Sequence, residues 1–369
     1  MELFLLILFI IFIISLIIQL FYVLYFFVRF VLYKPSKTTF NQPISIIVCA
    51  KNEAENITDF LPRILEQNYS DFEVVLVDDQ SKDNTEYVLK ELIQKYSNLK
   101  IVKIEQHVKH RVGKKFALTL GIKAAKHEYL LLTDADCFIS SKNWLSKMVA
   151  NFNDEKQIVL GYGAYKKEKG LLNTMIRFDA FHIALQYFSF ALAGETYMGV
   201  GRNLAYKKSV FFNNKGFASH IFLPSGDDDL FIQEVATKKN IAIEIAEESH
   251  TISETKKSWK EWIFQRRRHI TTSEKYAFKF KILLGLWPLS QFLFWLSFAV
   301  LLFFESTLFI VLPFFIFRTL MFYTLYYSPM KKLKSSDLFF WIPLLEILHI
   351  CIQGIFVLLN SKKKPTSWQ

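Results

Sequence analysis

Four long apolar runs enclose one stretch of alternating pattern. Leu3 to Tyr33 is almost wholly apolar, and Ile282 to Phe304, Leu308 to Tyr327 and Leu338 to Leu359 repeat that character at the other end. Each matches or exceeds the roughly 20 residues that a helix needs to cross a bilayer. The first run has Glu2 as its only early charge and no small-residue cleavage pattern, so it reads as a retained anchor rather than a signal peptide. From Ile44 the pattern changes to short β-branched runs separated by longer amphipathic ones, which predicts βαβ units on a mostly parallel sheet. Strands are expected over Ile44 to Cys49, Glu73 to Val77, Lys100 to Ile104 and Tyr129 to Thr133. Helices are expected around Phe60 to Gln67, Asn84 to Tyr96 and Lys114 to Ala125, with Pro62 arguing against an earlier start of the first. Beyond Asp136 the expectations are a strand over Ile158 to Ala164, a long helix over Leu171 to Ala193 and a strand over Gly199 to Lys207. The long helix suits either the core or an interfacial position on the bilayer.

The chain of 369 residues thus divides into an anchor (1–34), a soluble α/β domain (35–281), C-terminal membrane segments (282–361) and a basic tail (362–369). Its net charge of +11 comes partly from Arg266 to Arg268, Lys331, Lys332, Lys334 and Lys362 to Lys364, all close to apolar runs. That placement fits the cytoplasmic membrane face and anionic lipid, and no nucleic-acid partner is expected. Cys49, Cys137 and Cys351 are too scattered for a disulfide or zinc framework. The expected location is the cell membrane, multi-pass, with the α/β domain in the cytoplasm. A full final crossing would put Lys362 to Lys364 outside, against the positive-inside rule. Pro343, Glu346, His349 and Gln353 interrupt that run, and a re-entrant or interfacial segment is the alternative.

Asp134-Ala135-Asp136 closes the apolar run Tyr129 to Thr133, so two carboxylates sit at a predicted strand's carboxyl end. That rim is where open α/β sheets bind ligands. Two acids so spaced can share one hard divalent cation with a diphosphate, or can simply form an Asp-rich turn capping the next helix. Asp78-Asp79 ends the second predicted strand, and Asn52-Glu53 follows the first. Three strands ending in acceptor groups point to a nucleoside, whose base N–H and ribose hydroxyls are donors.

The ordered strings Lys51-Asn-Glu-Ala-Glu-Asn-Ile57, Val77-Asp-Asp-Gln-Ser-Lys-Asp-Asn-Thr85, Gly113-Lys-Lys-Phe-Ala-Leu118, Asp134-Ala-Asp136, Gly226-Asp-Asp-Asp229 and Gln265-Arg-Arg-Arg-His269 resemble the family 2 glycosyltransferases with a GT-A fold, from Pro43 to about Thr272. The resemblance implies that Glu53, Asp78 and Asp79 hold the nucleoside of a nucleotide-sugar, with Lys114 beside it. It implies that Asp134 and Asp136 bind Mg2+ or Mn2+ on the diphosphate. An inverting transfer also needs a carboxylate base on the acceptor side. The family's Gly-Glu-Asp pattern places that base at Asp228, and the alternative register places it at Asp227. Gln265, Arg267 and Arg268 fall in a string that resembles the Gln-x-x-Arg-Trp of membrane-embedded polysaccharide synthases, and Arg268 suits the leaving diphosphate. His269 stands where that string has Trp, which tells against processive synthesis.

The sequence therefore leads to a membrane-anchored, inverting glycosyltransferase. It would move a sugar, from a UDP-linked donor by resemblance, to a lipid-linked or membrane-associated glycan. A processive polysaccharide synthase and a non-catalytic membrane scaffold are the alternatives.

Overall fold

The structure is a computed structural model, and it describes residues 2–35, 38–105, 113–223 and 225–362. The chain enters through helix α1 (Glu2–Phe21), a π-helical turn (Tyr22–Phe27) and α2 (Val28–Leu32). A βαβ series follows: β1 (Ile44–Ala50), α3 (Ala54–Leu65), β2 (Phe72–Asp78), α4 (Thr85–Lys95), β3 (Leu99–Lys103), α5 (Lys114–Ala124) and β4 (Tyr129–Asp134). These strands form as the pattern predicts because their β-branched and leucine side chains are buried on both faces of a parallel sheet. The order β3-β2-β1-β4 makes the gap between β1 and β4 the point where the chain reverses direction across the sheet. Cys49 pairs in register with Asp134 across that gap. Ligands of open α/β sheets bind at such a switch point.

Past β4 come β5 (Cys137–Ile139), α6 (Trp144–Val149), β6 (Ile158–Leu160), β7 (Gly163–Tyr165), α7 (Leu171–Leu192), β8 (Leu204–Lys207), α8 (Lys208–Asn213), α9 (Asp229–Val235), β9 (Ile241–Ile243), β10 (Thr251–Ser253) and α10 (Trp259–Ile270). The main sheet has seven strands in the order β3-β2-β1-β4-β8-β6-β9, with β8 antiparallel to both neighbours. A second sheet, β5-β10-β7, crosses the site end.

Three expectations are corrected here. The first helix begins at Ala54, and Pro62 lies inside it; burial of Ile57, Leu61, Ile64 and Leu65 outweighs the missing proline donor. The expected strand Ile158 to Ala164 is two strands in two sheets, bent at Gly161, whose N–H donates to Asn203 and whose carbonyl accepts from Tyr187. Gly199 to Lys207 is a strand only from Leu204, because a 3-10 turn, Gly201–Asn203, precedes it.

Helix α7 belongs to the core. Its side chains from Met175 to Phe190 are almost all buried, including Arg177, Asp179 and His182, so it has no free apolar face to lay on a bilayer. It lies between the sheet and the chain's first helices: Phe190 stacks on Phe26 at 4.0 Å and Phe188 on Phe30 at 5.4 Å between centroids.

Helices α11 (Phe278–Leu301), α12 (Glu305–Lys332) and α13 (Ile342–Lys362) complete the chain. Four helical segments, Glu2–Leu32, Phe278–Leu301, Glu305–Lys332 and Ser336–Phe356, are long and apolar enough to cross a membrane. Large apolar side chains such as Leu24, Phe309 and Leu320 are exposed on them. Two charged groups, Arg318 and Glu346, turn inward. Arg318 pairs with both carboxylate oxygens of Glu346 and donates to Gln19 at 2.8 Å, tying α1, α12 and α13 together. The polar residues that interrupt the last run are accounted for in this way: Glu346 and His349 are buried within the protein, Pro343 occupies the first turn, and α13 runs on as helix. At the end of α2, Lys332 Nζ donates to the carbonyls of Phe30, Val31 and Tyr33 at 2.7–2.8 Å. The basic tail from residue 363 lies outside the described residues.

Candidate active site

The rim over β1 and β4 opens into a continuous cavity of about 1190 Å3. From the sequence reading it gathers Glu53, Lys114, Asp134, Asp136, Asp227, Asp228, Gln265 and Arg268 along its walls. Asp134 ends β4, and Asp136 follows in the tight turn to β5. Asp136 accepts only a long contact from the Cys137 thiol, at 3.7 Å. Burial, and next the charge of Asp134, raise its pKa, with Arg202 and Lys114 opposing. A cation beside the pair would relieve both costs.

Lys114 joins the two acidic clusters. It sits at the N-terminus of α5, and its Nζ lies 2.9 Å from Asp134 Oδ1 and 3.2 Å from Asp227 Oδ2. Burial works against its charge, yet the carboxylates of Asp134, Asp227 and Asp228 hold its pKa well above the ordinary value. Asp227 shows the converse. Burial favours its neutral form, but Lys114 outweighs burial and keeps its pKa low.

Asp228 and Asp229 differ again. Asp228 caps α9: one carboxylate oxygen accepts from the Asp229 N–H at 2.8 Å and the other from the Gly201 N–H at 2.9 Å. Burial, then the charges of Asp227 and Asp229, push its pKa up to about 7. Such a carboxyl takes up and releases protons near neutral pH, as a general base must. Asp229 is committed to structure. Its Oδ2 accepts from the hydroxyls of Thr272 and Tyr276, the latter at 2.7 Å, which binds α9 to the turn after α10. Gly226, at φ +105°, allows the sharp entry to this run, and a Cβ there would meet Leu230 at 2.7 Å.

Lys115, which the sequence reading passed over, is also part of this arrangement. Its buried Nζ donates to the carbonyls of His220, Leu223 and Ser225 at 2.6, 3.2 and 2.7 Å, anchoring the approach to Gly226. Arg202 belongs to a string, Gly201-Arg202-Asn203, that also resembles a family loop near the sugar pocket; it lines the cavity, its charge acts on Asp136, and it lies 4.3 Å above the Tyr165 ring. Lys115 had no sequence signal of its own beyond its neighbours, since its contacts are distant in the chain.

At the nucleoside end, Glu53 lines the cavity and accepts from Asn56 at 2.6 Å. Burial raises its pKa. Asp79 is fully buried behind the rim, and neither of its carboxylate oxygens has a hydrogen-bond partner among the described residues. Unsatisfied buried carboxylates are rare, and donors from a ligand would satisfy this one. Asp78 does not join them. Its Oδ1 accepts from the Ser81 N–H at 3.1 Å and it shapes the turn after β2; neither it nor Asp79 is in the cavity's wall.

The Gln265 to His269 string is split by helical geometry. Residues three and four apart share a face, and Gln265, Arg268 and His269 line the cavity. Arg267 does not. It turns to the other side of α10 and donates to the Leu359 carbonyl of α13 at 2.9 Å. Arg266 pairs with Asp179 of α7 at 2.8 Å. His269 is open to the cavity, and desolvation, then the charges of Arg268 and Arg266, lower its pKa.

Comparison with known proteins bears on this arrangement. Residues 45–212 match the model of the family described as Glycosyl transferase family 2. No curated protein sequence matches the chain. Among solved structures, the mannosyltransferase PcManGT from Pyrobaculum calidifontis, in complex with GDP-Man and Mn2+, is similar with a TM-score of 0.56 and 18% identity, over 95% of this chain and 98% of that one. TarS from S. aureus, residues 1–349, gives a TM-score of 0.44 and 18% identity over 80% of this chain and 90% of that one. The PcManGT likeness is one of fold. The family match covers β1 to α8, the part that holds the carboxylate rim, so the chain carries a Glycosyl transferase family 2 domain, and the PcManGT likeness shows a shared fold over most of its length.

Proposed function

We propose that the protein transfers a sugar, with inversion, from a nucleotide-diphosphate sugar to a lipid-linked or membrane-associated glycan. The supporting observation is that one cavity holds both the carboxylate rim and the membrane helices, from Asp134 and Asp228 to Trp287 and His349. In this reading the α/β domain faces the cytoplasm and the chain is a multi-pass protein of the cell membrane. UDP is the first candidate for the nucleotide, by resemblance.

The donor set fits a divalent cation. Asp134 and Asp136 offer hard oxygen ligands, and desolvation first, then the charge of Asp134, raises the pKa of Asp136. Two carboxylates suit Mg2+ or Mn2+, which commonly complete their shells with water and substrate phosphate. When bound, such an ion offsets the charge of the leaving diphosphate. Glu53 and Asp79 accept from the nucleoside. Lys114 adds positive charge beside the diphosphate while fixing Asp227, and Arg268 faces the same cavity. Asp228 takes the proton of the attacking acceptor hydroxyl.

The test uses the full chain in nanodiscs with Mn2+, a panel of UDP- and GDP-sugars and a membrane lipid extract, read by mass spectrometry. The reading expects one donor to add a hexose-sized or aminosugar-sized mass to a lipid-borne glycan, with EDTA stopping it. Transfer only to water-soluble acceptors would contradict it.

A further inference from the structure

The last apolar segment is placed differently from the other three. At roughly 1.5 Å per residue its helix, α13, is about 30 Å long and could cross a bilayer. Both of its ends, however, are held by the α/β domain. Just ahead of it, Arg177 of α7 donates to both carboxylate oxygens of Asp337 at 2.7 and 2.8 Å. At the far end, Arg267 of α10 donates to the Leu359 carbonyl at 2.9 Å, and Phe356 meets the Trp262 ring of α10 edge-on, 6.0 Å between centroids.

The partners met along the way descend and then return. Tyr323 of α12 donates to the Phe340 carbonyl at 3.4 Å, in the 3-10 turn Ser336–Trp341 that leads into α13. Gln291 of α11 and Arg318 of α12 then donate to the Glu346 carboxylate, each at 2.7 Å. Both donors lie roughly 20 Å along their helices from the ends nearest the α/β domain. One turn later His349 is 3.0 Å from Asp179 of α7, and by Phe356 the neighbours are on α10. A crossing helix would continue instead to the far half of the bundle. That half is built on Phe12, Leu16, Phe294, Phe298, Leu301 and Val311, and among the described residues α13 adds nothing to this cluster.

The two faces of α13 divide in the same sense. Glu346 and His349 are buried, and His349, Ile350, Gln353 and Phe356 line the cavity. Leu344, Ile347, Cys351 and Ile355, spaced by three and four residues, form an exposed stripe without charge. The neighbouring α11 and α12 expose the same kind of surface at Phe292, Leu296 and Leu320. Such a stripe is costly in water and well solvated by lipid tails.

We propose that α13 is a re-entrant helix. It enters and leaves the bilayer on the side of the α/β domain, and its outer stripe is an interaction surface for the acyl chains of that leaflet alone. The chain then crosses through α1, α11 and α12, and α13 stands as the partition between the cavity and one leaflet. The basic run after α13 in the sequence falls on the same side as Arg266 to Arg268 and Lys331, Lys332 and Lys334, as the positive-inside rule asks.

Cysteine labelling of the full chain in sealed membrane vesicles of either orientation tests this. Lys90→Cys on α4, Ser306→Cys in the first turn of α12 and Gln369→Cys beyond α13 are each made with the native cysteines changed to serine, and treated with a membrane-impermeant maleimide. The expected result is that Gln369→Cys reacts from the same side as Lys90→Cys, and Ser306→Cys from the opposite side. Reaction of Gln369→Cys from the Ser306→Cys side would show a further crossing and overturn the proposal. Reaction of Ser306→Cys from the Lys90→Cys side would overturn the membrane-spanning reading of α11 and α12, and the proposal with it. If the serine background does not fold, protease cleavage of a tag added after Gln369 of the native chain reads the same sidedness. A nitroxide on Cys351, with Cys49 and Cys137 changed to serine, tests what covers the stripe. Its collisions with oxygen should exceed those with a water-soluble nickel chelate. Faster collisions with nickel would place the stripe in water, and protection from both would place it against a second copy; either would overturn the lipid assignment.

Discussion

Asp134 and Asp136 at the end of β4 and Asp227 to Asp229 ahead of α9 are both short acidic runs, yet the fold neutralises them by different means. The first pair receives one ammonium, from Lys114, and little hydrogen bonding from the protein. The second run is divided among three partners: Asp227 to Lys114, Asp228 to two backbone N–H groups, and Asp229 to the hydroxyls of Thr272 and Tyr276. What an acid does here is set by what already satisfies it. A pair left short of positive charge is suited to a cation, a carboxyl raised by its neighbours is suited to moving a proton, and a fully bonded carboxyl is structural.

Substitutions should break this comparison in a definite order. Asp136→Ala removes one of only two proposed ligands, so turnover should fall by at least about a thousandfold, with Mn2+-dependent nucleotide binding lost as well. Calorimetry with and without EDTA checks this, and unchanged metal-dependent binding would refute the assignment. Asp228→Asn should lower transfer by roughly 100- to 10,000-fold while nucleotide and Mn2+ bind as before. A larger loss from Asp227→Asn would move the base by one residue.

Arg268→Ala should cost roughly 100-fold in kcat, the scale of one lost charge-stabilising donor. Arg267→Ala, whose guanidinium bonds the Leu359 carbonyl instead, should change kcat by no more than about threefold. Equal losses at the two arginines would show that the basic run acts as a whole. The smallest effect belongs to Tyr276→Phe. Loss of one donor to Asp229 should reduce stability by about 1–2 kcal/mol and leave kcat within a fewfold, as thermal melts and initial rates would report.

The first half of the fold was legible because β1, β2, β3 and β4 are short apolar runs whose pattern decides their state locally. The acids at their ends were placed on the rim by the same logic. The second half was legible only in part: the helix expected over Leu171 to Ala193 is α7, but the short strands around it were not resolved. β5, β7 and β10 are three residues each and exist only through pairing with one another, so no local pattern announces them. Pro62 was misread because a residue's local cost was weighed without the burial that offsets it. Asp78 and Arg267 were assigned by adjacency to neighbours that do face, or lie just behind, the site. At a strand end one residue's shift reverses the side chain's direction, and in a helix it turns it by about 100°. The role of Lys115 and the Asp179–His349 contact escaped notice because their partners lie far away in sequence.

The central claim is that Asp228 is the base while Asp134 and Asp136 serve the donor. The pH dependence of kcat/KM, measured for wild type, Asp227→Asn and Asp228→Asn with saturating Mn2+, tests it most directly. A base must be ionised to accept a proton, and burial with two acidic neighbours lifts Asp228 to about 7. The account predicts that wild-type activity rises with pH through about 7 and then levels, and that this rise is absent from the residual activity of Asp228→Asn. Asp227→Asn should keep the rise but shift it to lower pH, since one repelling charge is gone. A rise that persists in Asp228→Asn, or disappears in Asp227→Asn instead, would contradict the account.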